Sequence, residues 1–93
     1  MAETPGTWTA RTEGVVWRSV GEEVILMDLG PSVYHAIRGV GADVWTLLAT
    51  DARTVDELVE QVLEAYDADE ARVRRDVIAF LQTLRDAGLA DTA

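Results

Sequence analysis

Residue types that do chemistry are scarce in this chain. His35 is the only histidine and there is no cysteine, so neither a Cys–His nucleophile pair nor a metal site with two imidazoles can be assembled. Ser19 and Ser32 stand beside predicted turns, outside any G-x-S-x-G setting. Gly39-Val40-Gly41 is too short to cradle a phosphate. Carboxylates are plentiful, and Asp56/Glu60 and Glu60/Glu64 repeat one helical turn apart. They fall on a polar helix face, where charge serves solvation rather than acid–base work. His35 reads as a half-buried strand residue. The expectation is a protein that is not an enzyme and holds no cofactor or metal.

What can act instead is backbone. Val33-Tyr34-His35-Ala36-Ile37 reads as a short apolar strand without Lys, Pro or an acidic residue. If such a strand lies at a sheet edge, nothing in its sequence stops another strand from pairing with it. An edge of this kind is either an aggregation liability or a docking site.

Three strands are expected. Val15 to Val20 alternates weakly. Gly21 then offers the positive φ required at the first central position of a tight hairpin. Val24 to Leu29, apolar on both faces apart from Asp28, reads as a central strand covered on both sides. Gly30-Pro31-Ser32 is turn chemistry, and Val33 to Ile37 follows. Connections this short permit only an antiparallel meander, which leaves the first and third strands at the edges. Arg18 marks the first; the third carries no charge before Arg38.

Three helices come next. Val40, Val44, Leu47 and Leu48, with Trp45 beside them, define the first. Thr54-x-x-Glu57 is a capping box ahead of Val55, Leu58, Val59, Val62, Leu63 and Tyr66. Asp67 with Glu70 opens the third helix, whose stripe is Val73, Val77, Phe80, Leu81 and Leu84, and Gly88 stops it. The fold class is therefore α+β: a three-stranded antiparallel sheet followed by three helices, with a helix-turn-helix in the last two. Residues 1–13 are expected to be a flexible tail and 14–90 the folded domain. Trp8, the only large apolar residue of that tail, can pack on the body or stay exposed, and the sequence does not decide.

Ninety-three residues hold one core, and the longest apolar run, Val24 to Met27, is far below the roughly 20 residues of a membrane span. Met1 to Gly6 lacks the basic start and apolar core of a secretory signal, so the expected compartment is the cytoplasm. The formal charge is −9, from 17 acidic residues against 8 basic ones, all of the latter Arg. A field of this sign repels phosphate backbones and favours cationic or neutral partners, and neither nucleic acid nor a membrane is an expected partner. The third helix carries Arg72, Arg74, Arg75 and Arg85, balanced by Asp69, Glu70, Asp76 and Asp86. A winged-helix DNA-binding regulator, the competing class, needs a net basic face.

On that helix Arg74, Ile78, Leu81 and Arg85 form a strip beside the core stripe. With the free third strand, it suggests a groove in which a peptide would gain main-chain hydrogen bonds from Val33 to Ile37 and side-chain contacts from Arg74, Val77, Ile78, Leu81 and Arg85.

The ordered set Leu26-x-Asp28-x-Gly30, Tyr34-x-x-Ile37, Gly41-Ala42-x-Val44-Trp45, Thr54-x-x-Glu57-Leu58, Tyr66 and Asp76-Val77-x-x-Phe80-Leu81-x-x-Leu84-x-x-x-Gly88-Leu89 resembles the PqqD-like family over about residues 14–90. Its members are RiPP recognition elements, which bind leader peptides of ribosomally made, post-translationally modified peptides. The resemblance implies a winged helix-turn-helix-like fold without activity of its own, in which a leader adds to the third strand against the third helix. Arg38 stands where many members have Asn, and Ile37 replaces Leu, so the cap of the first helix is expected to differ. Arg38 could meet an acidic leader residue. The chain is most similar to the discrete leader-binding proteins of lasso-peptide pathways, which deliver a precursor to a separate leader peptidase and then a cyclase. A PqqD-type carrier serving a radical enzyme is the nearby alternative.

Overall fold

The computed structural model describes residues 6–92. The elements are β1 (Trp8–Ala10), β2 (Val15–Val20), β3 (Glu23–Asp28), β4 (Val33–Arg38), α1 (Val40–Thr50), α2 (Val55–Ala65), α3 (Glu70–Asp86) and β5 (Ala90–Thr92). The expected meander is present as an antiparallel sheet in the order β2-β3-β4, with β4 at an edge. Gly21 takes φ 65° in the first hairpin, as its position requires. Among the described residues, no helix is long and apolar enough to cross a membrane.

Local signals account for the helix ends. The Thr54 hydroxyl accepts from the Glu57 amide at 3.1 Å while the Glu57 carboxylate accepts from the Thr54 amide at 2.8 Å, the reciprocal capping box. The third helix begins later than Asp67 suggested: Asp69 is its cap, accepting from the Arg72 amide at 3.2 Å. At its far end Gly88 takes φ 75°. There Gly88 donates to the Arg85 carbonyl at 3.0 Å and Leu89 to that of Leu84 at 2.8 Å. That pair of bonds is a Schellman stop, and Leu89 is only 1% exposed beneath it.

The helices cover one face of the sheet. Val24 and Leu26 of β3 are buried beneath them with Trp45, Leu58 and Val77, and Trp17 of β2 meets Trp45 edge to face at 6.2 Å. The expectation that β3 is covered on both sides is corrected. Its residues alternate between buried and half-buried, because all three helices lie on the face that Val24 and Leu26 present.

The expected tail over residues 1–13 is corrected as well. Residues 1–5 lie outside the described residues, but from Trp8 onward the chain is part of the body. Strand β1 pairs antiparallel with β5, Trp8 opposite Thr92. Trp8 also exchanges hydrogen bonds with Arg53, amide to carbonyl, at 2.7 and 3.0 Å. Its indole is 1% exposed and belongs to the core cluster. Arg11 then locks the segment down: Nε donates to the Gly88 carbonyl at 2.7 Å and Nη2 to the Asp28 carboxylate at 2.5 Å. Asp28 is 4% exposed, and this guanidinium is what makes a buried carboxylate at the end of β3 tolerable.

Candidate edge-and-helix groove

Hairpin geometry decides which β4 groups are free. The two-residue turn at Gly21-Glu22 makes Val20 and Glu23 a closing, hydrogen-bonded pair. Bonding alternates from there along β3, so Val24, Leu26 and Asp28 direct their amides and carbonyls to β4. Their partners are Ile37, His35 and Val33. Leu29 fits the same alternation, since its amide turns back to the Gly14 carbonyl at 2.9 Å. It follows that the amides and carbonyls of Tyr34, Ala36 and Arg38 point out of the sheet, toward an incoming strand.

Side chains alternate with the same period. Ile37 is buried, His35 half-buried and Val33 exposed on the helix side, while Tyr34, Ala36 and Arg38 are exposed on the opposite face. The five residues Val33, Tyr34, His35, Ala36 and Ile37 therefore divide. Two of them, Tyr34 and Ala36, offer ladder groups; the others hold β4 to β3 and face the helices. Arg38 adds a third free position, with its guanidinium bound to Glu23 at 2.7 Å.

The rotation of α3 differs from the one expected. Arg74 is turned toward α2, where it pairs with Asp56 at 2.7 Å. Ile78, one turn on, is half-buried on that same flank. Arg85 is exposed and shares a hollow with Thr9, Arg11 and Asp91 beside the β1–β5 sheet. Val77 and Leu81 are sealed in the core at 0% and 1% exposure. Phe80, which the periodicity assigned to the core but which is half-buried, stands with Ile37 of β4 over Gly41. Neighbouring residues lie about 100° apart on a helix, so the direction in which the core lies decides whether Phe80 or Leu81 is sealed.

Gly41 sets how closely α3 approaches this edge. A Cβ built on it would lie 2.9 Å from Phe80 Cε1 and 3.0 Å from Ile37 Cγ2. The absence of a side chain in the first turn of α1 thus lets the Phe80 ring and Ile37 close over the helix start. Ala in a helix normally outranks Gly by up to about 1 kcal/mol. Here Gly41→Ala is expected to lower stability by about 1–2 kcal/mol, the cost of overpacking. The double variant Gly41→Ala/Phe80→Ala should recover the part due to the clash, and thermal melts of both proteins measure it. The groove so defined has a hydrogen-bonding wall, β4, and an apolar one at Phe80. Among the described residues no cluster of His, Cys, Asp or Glu suits a metal ion.

The family model described as "Coenzyme PQQ synthesis protein D (PqqD)" matches residues 23–90. No curated protein matches the chain. Among solved structures, "TbiB1 in Complex with the TbiA(beta) Leader Peptide" is similar at a TM-score of 0.79 and 28% identity, covering 89% of this chain and 94% of that one.

Proposed function

The chain belongs to the PqqD family, and from that premise we propose that it is a non-catalytic module that captures the leader segment of a precursor peptide. The leader lies as a fourth strand on β4, bonded to the outward amides and carbonyls of Tyr34, Ala36 and Arg38, with an apolar side chain against Phe80. Arg74, Ile78 and Arg85 take part only if the peptide continues around α3. The captured precursor is passed to a separate leader peptidase and then a cyclase, in the manner of lasso-peptide pathways. The observation that carries this reading is the likeness, at 28% identity over most of both chains, to a protein solved with a leader peptide bound. A short apolar strand left at an open sheet edge of a small protein supports it.

A second reading follows the family's description, a protein of coenzyme PQQ synthesis: on it the chain is a PqqD-type carrier that hands a peptide to a radical enzyme. Both are tested by titrating a fluorescently labelled leader, synthesised from the precursor gene nearest the chain's own, and following anisotropy. Saturable binding is expected, with no response to a mixed DNA duplex at low salt, where even non-specific DNA binding would register. DNA binding without leader binding would replace this reading with that of a regulator. The enzyme gene alongside, peptidase or radical enzyme, separates the two carriers.

A further inference from the structure

The sheet has a second face, and its composition is unusual. On the side away from the helices, antiparallel sheets that meet water alternate to polar residues. Here Val16, Val20, Ile25, Met27, Tyr34 and Ala36 occupy that side, with Val16 58%, Val20 51% and Tyr34 68% exposed. The register places them in adjoining rows: Val16 beside Met27 beside Tyr34, then Arg18 beside Ile25 beside Ala36. Contiguous apolar faces of this kind on a small domain mark interaction surfaces.

Charge narrows the occupant. Arg18 stands exposed within the apolar rows and has no ion pair among the described residues. Among the described residues the only carboxylate on the face, Glu23, is already held by Arg38 at 2.7 Å. A second copy that paired through this same face would therefore bring no free acid to Arg18, and would set a net charge of −9 against another of −9. Burying an unpaired guanidinium is costly. The face suits a different protein, one that surrounds a carboxylate with apolar side chains.

Continuity with the groove indicates which protein. Every second side chain of a strand added to β4 points to this same face, so the captured peptide becomes its fourth column. We infer that the outer face of β2, β3 and β4 is the docking surface for the enzyme that processes the captured peptide, which meets Arg18 with a carboxylate and touches the peptide at the β4 border. This rests on the strand-capture reading.

The test uses the full chain and the purified leader peptidase encoded beside it, with affinity read by biolayer interferometry in the presence of leader. Val16→Asp and Arg18→Glu lie on β2, away from the groove, at exposed positions. Each is expected to weaken peptidase binding at least tenfold while leaving leader anisotropy and the melting temperature unchanged. Unchanged peptidase affinity in both variants overturns the inference, as does a wild type that does not bind the peptidase. A concentration-dependent dimer in sedimentation, dissolved by Val16→Asp, would assign the face to a second copy and also overturn it. Failure of the wild type to bind leader is a separate result: it removes the capture reading, whatever the peptidase does.

Discussion

Ala36→Pro is expected to leave the protein folded and to weaken leader binding tenfold or more. Proline removes a backbone N–H and fixes φ near −65°, which an edge strand tolerates when that N–H faces solvent. Ala36 meets this condition, because its partner Ile25 directs its own backbone groups to β2 rather than to β4. No β3–β4 bond is lost. The incoming strand loses a donor worth about 0.5–1.5 kcal/mol and meets the pyrrolidine ring in the plane of pairing. The two effects together exceed the ~1.4 kcal/mol of a tenfold change. Ile37→Pro is the control. It breaks a bond to β3 and removes a buried side chain, so its melting temperature should fall where that of Ala36→Pro does not. A folded Ala36→Pro protein with undiminished leader affinity would rule out strand addition at β4.

Trp8→Ala is expected to cost about 3–5 kcal/mol, the range for emptying a buried large aromatic site. Trp8 is 1% exposed and lies in one cluster with Trp45, Leu89 and Ala90. Small domains have roughly 5–15 kcal/mol in hand, so the loss takes a large fraction and lowers the melting temperature by roughly 15–30 °C. A residue in a solvated tail would change stability by less than about 0.5 kcal/mol. Chemical denaturation of the two proteins distinguishes these outcomes. The effect reaches the groove indirectly, since β1 pairs with Arg53 behind α1 and Arg11 ties the same segment to the end of α3 and to Asp28.

These two expectations come from different kinds of information. The edge strand was legible in the sequence: Val33 to Ile37 is bounded by Gly30-Pro31-Ser32 and Gly39, and short connections forced the meander that leaves it outermost. The same holds for the capping box at Thr54 and the stop at Gly88, whose partners lie three to five residues away. Trp8 was not legible, because nothing local distinguishes a three-residue strand in a Thr-rich segment from a loop. Its partners, Arg53 and Thr92, are far along the chain. The rotation of the third helix was less legible for a related reason. Periodicity finds the apolar stripe of α3 but not the direction in which neighbouring elements compress it.

The sequence by itself thus determined the order of the three meander strands and the three helices and the existence of an edge strand, each set by local pattern or by contacts a few residues apart. Tertiary structure decided which β4 backbone groups point out of the sheet, that Phe80 meets Ile37 over Gly41, and that among the described residues no helix covers the outer sheet face. Those outcomes depend on how far helices rotate and which distant strands pair, and burial of the whole core, rather than any local preference, fixes both.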